Sequence, residues 1–205
     1  MHILLQERRH REVRPMTDII LCGVGGQGTV LASKLIAAAA MEKGLDVMSA
    51  ETIGMAQKGG SVFSHLRVGR GMMTPMIAKG TADIIIAFEP AEAVRMLPFL
   101  KEGGKVIVNS HAVQPVTAVL KGGNYDGEAM ISYLRRNVPD VKVIDCEKAC
   151  LEMGSPKVAN MILLGAAVRT GVLDFTIDEI KNIMRKKVKP QFIEMNERAL
   201  DYEDQ

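Results

Sequence analysis

Asp18-Ile19-Ile20-Leu21-Cys22, Asp83-Ile84-Ile85-Ile86-Ala87-Phe88 and Lys105-Val106-Ile107-Val108-Asn109-Ser110 are short, nearly unbroken apolar runs. Runs of this length suit buried strands and are too short for helices. A helical pattern covers Thr29 to Lys43, where Leu31, Leu35 and Ala38 fall on one face and Gly44 stands where a C′ glycine would end the helix. Leu45 to Ala50 reads as a further strand. From Ser61 to Val68 the pattern alternates, with Val62, Ser64, Leu66 and Val68 on one face and Phe63, His65 and Arg67 on the other, before a Gly69-Arg70-Gly71 turn. His65 and Arg67 could form a small polar site on that face, or the strand could be half-exposed with ordinary polar residues.

The later chain continues the alternation of elements. Ala91 to Leu100 is a predicted helix, followed by a turn at Gly103-Gly104. Between His111 and Tyr125 the pattern lapses into loop or short strand. A helix over Gly127 to Asn137, a strand over Val141 to Asp145 and a helix over Glu147 to Met153 follow. An apolar helix over Val158 to Arg169 is entered through Ser155-Pro156, and Thr176 with Glu179 makes a capping box for a helix to about Lys187. Pro190 opens a last one. Strands alternating with helices predict an α/β fold, a Rossmann-like, doubly wound and mostly parallel sheet with helices on both faces.

The junction between the first strand and the first helix is Gly23-Val24-Gly25-Gly26-Gln27-Gly28, which satisfies G-x-G-x-x-G. A chain passing from a strand straight into a helix needs backbone angles and approaches that a Cβ obstructs. The helix start then presents unpaired N–H groups and a positive dipole end, where an anion can sit. Glu51, near the end of the second strand, is placed where an acid would grip the ribose of NAD. The same glycines also suit a turn that does no more than pack a helix on a sheet. In such sheets ligands gather beyond the carboxyl ends of the strands. Gly25 to Thr29, Glu51, Glu89 and Asn109-Ser110 are therefore expected along a common edge, although each could simply cap a helix or a turn.

Composition narrows the function classes. The formal net charge is +2, and residues 1–15 carry Arg8, Arg9, Arg11 and Arg14 against Glu7 and Glu12, so the remainder is neutral. A neutral body lacks the electrostatic footprint for nucleic acid. Residues 1–15 read as a disordered tail or an upstream start, with Met16 as the functional beginning and 16–205 as a single domain. No apolar run approaches a membrane span. The three cysteines, Cys22, Cys146 and Cys150, are too few for a disulfide framework and are expected as structural thiols of a reducing cytoplasm. Arg185, Lys186, Lys187 and Lys189 suit a solvated helix C-terminus, with a ferredoxin-docking patch as the other reading.

Two further stretches carry a family resemblance. Glu51-Thr52-Ile53-Gly54-Met55-Ala56-Gln57-Lys58-Gly59-Gly60-Ser61, taken with the glycine turn, resembles the gamma-type domain of 2-oxoacid:ferredoxin oxidoreductases, and the small subunits of the indolepyruvate branch in particular. That family follows its Gly-Gly-Gln-Gly turn with Gly-Met-Ser-Gln-Arg-Gly-Gly-Ser. Here Ala56 replaces the serine and Lys58 the arginine, which keeps the charge without the planar fork. Ser155-Pro156-Lys157-Val158-Ala159-Asn160-Met161, leading into an apolar helix, also resembles the family, so the likeness runs from about Thr17 to the C-terminus.

The resemblance implies a subunit of a holoenzyme that uses thiamine diphosphate with Mg2+ and [4Fe-4S] clusters to convert a 2-oxoacid, with coenzyme A (CoA) as co-substrate and ferredoxin as electron acceptor. This chain has neither a thiamine-binding Gly-Asp-Gly with a downstream paired asparagine nor a cluster-type cysteine run. Those parts are expected on a large (alpha) partner subunit, with no cofactor bound by this chain alone. No catalytic residue is assigned here. Gly23, Gly25, Gly26, Gln27, Gly28 and Thr29, Gln57, Lys58, Gly59, Gly60 and Ser61, and Asn160 are the candidates for a ligand or partner site. The alternative is a stand-alone protein binding NAD, a flavin or CoA through the glycine turn.

Overall fold

A computed structural model describes residues 16–52, 60–113 and 125–203. Gln57, Lys58 and Gly59, the segment 1–15 and most of the stretch between His111 and Tyr125 lie outside the described residues. The elements are β1 (Thr17–Val24), α1 (Thr29–Glu42), β2 (Asp46–Glu51), β3 (Ser61–Gly69), β4 (Ala82–Ala87), α2 (Pro90–Met96) and β5 (Leu100–Asn109). They continue with α3 (Gly127–Asn137), β6 (Asp140–Ile144), α4 (Cys146–Met153), α5 (Ala159–Arg169), α6 (Ile177–Lys187) and α7 (Ile193–Asp201). Among the described residues one sheet of six strands runs in the order β2-β3-β1-β4-β5-β6. β1, β4, β5 and β6 pair parallel, and β3 is antiparallel to both of its neighbours.

The apolar runs are buried because both faces of the sheet are covered. Ile19, Leu21, Ile84, Ile86 and Ile107 meet Leu35, Ile36 and the α5 side chains Met161, Leu163 and Leu164 on one face. Ile20, Cys22, Ile85, Val106 and Val108 meet Ala93, Met96, Ile131 and Leu134 on the other. The capping box at Thr176 and Glu179 is formed, and Gly44, at φ 70°, ends α1 with Leu45 N–H donating back to Ala40 O.

The sheet order corrects one expectation. β2 does not lie beside β1, because β3 is inserted between them. The β3 strand is therefore internal, and His65 is 1% exposed on it. Arg67 pairs with Asp18 Oδ1 at 2.8 Å. These two side chains make neither a half-exposed strand face nor part of the cleft described below.

Two local readings also change. The buried stripe of α1 is Ala32, Leu35, Ile36, Ala39 and Ala40, while Leu31 is 36% exposed. A helix so rich in alanine has apolar residues on most sides, and the wider stripe that includes Ile36 faces the sheet. The helix expected to reach Leu100 stops at Met96 and continues as a 3-10 turn, Leu97–Phe99, around Pro98. Gly103 and Gly104 then fall inside β5, where the register with β4 shifts.

Candidate functional site

The carboxyl ends of β1, β4 and β5 meet at one edge of the sheet, where the chain leaves toward β2 on one side and β5 on the other. Crevices form at such reversals. β1 ends at Val24, and Gly25 N–H donates to Gly60 O at 2.9 Å, tying the turn to the residue before β3. Gly28 is the N-cap of α1 at φ 84°, a left-handed conformation that favours glycine. Gly23 serves close approach instead: a Cβ there would lie 2.5 Å from Gln27 Oε1 and 2.8 Å from Phe88 Cβ.

Gln27 is a structural clamp. Its Oε1 accepts from Val24 N–H at 2.8 Å and its Nε2 donates to Phe88 O at 3.1 Å. Asn109 Nδ2 donates to the same carbonyl at 3.3 Å, and Asn109 Oδ1 accepts from His111 N–H at 3.1 Å. The ends of three strands are thereby locked around one carbonyl oxygen.

Above this lock lies a cleft of about 440 Å³, lined in part by Gly26, Gln27, Gly28, Asn109, Lys157 and Asn160. Asn160, at the start of α5, is 5% exposed and accepts from Met161 N–H at 2.9 Å through Oδ1. Its Nδ2 stands against Gly28 and makes no hydrogen bond among the described residues. α1 has neither a side-chain cap nor an acid in its first turn, whereas α2, α3, α4 and α6 are capped by Glu89, Asp126, Asp145 and Thr176. The cleft thus combines a helix N-terminus without a side-chain cap, a buried amide donor and the Lys157 ammonium. That combination suits an anionic group.

An adjoining compartment of about 490 Å³ shares Asn109, His111, Pro156 and Ala159 with the cleft and is lined by Cys146, Cys150 and Leu151. His111 Nδ1 lies 3.0 Å from Glu147 Oε2 at this end. Burial pushes the Cys150 thiol up, and burial with the nearby Glu92 and Glu89 pushes Cys22 well up, so neither is an activated nucleophile. Among the described residues no group of three or more His, Cys, Asp or Glu could hold a metal ion. The usual cluster is held by four thiolates, and the sequence has three cysteines.

Of the sequence candidates, Gly26, Gln27, Gly28 and Asn160 converge on the cleft. Gly23 and Gly25 lie in the turn itself, and Thr29 is buried at the first position of α1. Gly60 is joined to Gly25, while the Ser61 hydroxyl donates to Glu92 Oε2 at 2.6 Å on the α2 side. Lys157, His111 and Val113 also line the cleft and were not singled out. Lys157 stands three residues before Asn160 in the quoted stretch, which was the available signal.

Glu51 does not join the site. With β3 intervening, it sits two strands from β1, roughly 10 Å across the sheet instead of about 5 Å. The acid that would hold an NAD ribose is therefore not on the adjacent strand. Glu89 caps α2 and lies away from the cleft lining. The basic cluster at the C-terminal end of α6 is partly paired, Arg185 with Glu197 and Lys186 with Glu42.

The pyruvate ferredoxin/flavodoxin oxidoreductase family model matches residues 18–202. The chain belongs to that family. Among its relatives in the family is the indolepyruvate oxidoreductase subunit IorB of Archaeoglobus fulgidus, 36% identical over 184 residues, which span 89% of this chain and 91% of that one. The subunit of the same name from Pyrococcus horikoshii is 33% identical over 90% of this chain and 92% of its own. The pyruvate oxidoreductase subunit PORC of Thermotoga maritima shares the fold at a TM-score of 0.67 and 24% identity, covering 90% and 93% of the two chains. In the 2-oxoglutarate:ferredoxin oxidoreductase of Magnetococcus marinus the same fold occupies 30% of a longer chain, at a TM-score of 0.64. This member of the pyruvate ferredoxin/flavodoxin oxidoreductase family is an oxidoreductase subunit of the gamma type. Among its described residues no helix is long and apolar enough to cross a membrane.

Proposed function

We propose that this chain is the small subunit of a cytoplasmic indolepyruvate, or aryl pyruvate, ferredoxin oxidoreductase. The holoenzyme would convert the 2-oxoacid and CoA to acyl-CoA and carbon dioxide, passing two electrons to ferredoxin. Thiamine diphosphate with Mg2+ and the [4Fe-4S] clusters belong on the large partner subunit in this reading and supply the decarboxylation and electron transfer. This chain contributes the cleft. Its uncapped α1 terminus, Asn160 Nδ2 and Lys157 hold an anionic group, a carboxylate or a phosphate of CoA, beside the partner's reactive centre.

The observation that carries this reading is the meeting of Gly26–Gly28 with Lys157 and Asn160, more than a hundred residues apart in sequence, in one cleft. The names of the relatives support the aryl pyruvate substrate. The stand-alone NAD reading loses support because Glu51 is two strands away.

The test is anaerobic co-purification with the large subunit and assay of indolepyruvate- and CoA-dependent viologen reduction. A brown complex with that activity is expected, and Lys157→Glu should raise its KM for CoA about tenfold by reversing a charge at the cleft. A colourless chain that purifies without a partner and titrates NAD or flavin overturns the reading.

A further inference from the structure

The first turn of α2 holds two carboxylates that the cleft does not use. Glu89 and Glu92 are 1% and 3% exposed, and neither lines the cleft. The Tyr125 hydroxyl donates to Glu89, and backbone N–H groups of Glu92, Ala91 and Val113 favour its charged form. Burial works against them and pushes the Glu89 carboxyl above the ordinary range, with the Glu92 charge adding to that push. Glu92 accepts from Ser61 Oγ at 2.6 Å and pairs with Arg95 at 3.3 Å.

The chain positions held in this way are informative. Val113 lines the cleft with Gly26 and Gly28, and Tyr125 directly precedes the N-cap of α3. Helix capping requires no more than the Glu92 N–H contact at 3.0 Å. Asp126 and Asp145 cap α3 and α4 in that way from exposed positions. Glu89 differs from them in being buried and in receiving donors from outside its own helix. A carboxylate is costly to bury unless its lone pairs are filled, and capping gives no reason to bury one here.

We propose that Glu89 is a positioning residue for substrate binding. Its carboxylate draws Val113 and Tyr125 onto the start of α2 and so fixes the Val113 side of the cleft relative to the glycine turn. The inference rests on the reading that the cleft receives the anionic end of CoA. Glu89 touches no ligand. It acts through Val113.

The experiment is steady-state kinetics of the assembled oxidoreductase with CoA as the varied substrate. Tyr125→Phe, Glu89→Gln and the double variant are compared with Asn160→Ala, which alters the cleft directly. Tyr125→Phe keeps the ring and removes one hydroxyl, so it remains informative if Glu89→Gln assembles poorly. Each single variant is expected to raise KM for CoA about tenfold with kcat within about twofold. The double variant should be no worse than Glu89→Gln, because both changes break one contact.

Unchanged KM in Tyr125→Phe and Glu89→Gln, with KM raised in Asn160→Ala, overturns the positioning role and leaves the cleft reading standing. Unchanged KM in all the variants overturns both. Loss of kcat with a lowered melting temperature and no change in KM marks Glu89 as purely structural and also overturns the proposal.

Discussion

A β-carbon on Gly28 would lie 2.5 Å from Nδ2 of Asn160. The N-cap of α1 and the first turn of α5 are therefore fitted to each other at the cleft. Gly28→Ala is expected to destabilise the chain by about 2–3 kcal/mol, combining a left-handed backbone with displacement of the amide. Gly26→Ala, at φ 102° with nothing within 4 Å of the added carbon, should cost about 1–2 kcal/mol from backbone strain alone. Denaturant midpoints of the two variants measure the difference. Asn160→Ala in the Gly28→Ala background should recover part of the loss.

Gln27 bridges β1 and the end of β4 through Val24 N–H and Phe88 O. Gln27→Ala leaves both groups without their side-chain partner and should cost about 1–3 kcal/mol. Gln27→Glu keeps the acceptor for Val24 but turns a carboxylate oxygen toward the Phe88 carbonyl. It should unfold at least as easily as the alanine variant, as read from the same denaturation curves.

Asp18 is 3% exposed and receives two guanidinium bonds from Arg67, Nε at 2.8 Å and Nη2 at 3.3 Å. Asp18→Asn leaves that guanidinium largely enclosed without its counter-charge. A loss of about 3 kcal/mol is expected. Because the pair is shielded from solvent, the loss should change little between low and high salt, which separates it from any surface ion pair in the chain.

Burial pushes the His65 imidazole below its ordinary pKa, with Asp18 opposing. Its Nδ1 accepts from Ile77 N–H at 3.0 Å, which requires the neutral ring. The unfolded chain therefore takes up the proton first. The His65 contribution to stability is fully present above about pH 6.5 and is lost as pH falls below it. Thermal unfolding between pH 7.5 and 5.5 should show a falling melting temperature, and the fall should be smaller in His65→Asn.

The opening strand, glycine turn and helix are legible because each states its geometry locally: an apolar run, a Cβ-free turn and a 3.6-residue pattern ended by Gly44. The Thr176 capping box is legible for the same reason. The order of strands is different. Nothing in the alternation of residues 61–68 says that this strand enters between β1 and β2, because strand neighbours are set by tertiary packing. The misplacement of Glu51 follows directly from that.

Lys157 and Asn160 were within reach because they share one motif, yet one was singled out and the other was not. A lysine among many surface lysines gives no signal until the fold brings it to the glycine turn. The several partners of Glu89 were out of reach altogether, since Val113, Ala91 and Tyr125 come together through the packing of α2 against the strand ends.

The insertion of β3 also bears on how the chain assembles as it is synthesised. Both neighbours of β1, β3 and β4, come after residue 60 in sequence. When residues 17–51 emerge, β1 and β2 have no native neighbour with which to pair, and β1, apolar from Ile19 to Cys22, stays unpaired until residues 61–69 arrive. At about 5–20 residues per second this interval lasts seconds. During it the nascent chain carries an apolar strand with both of its edges unpaired.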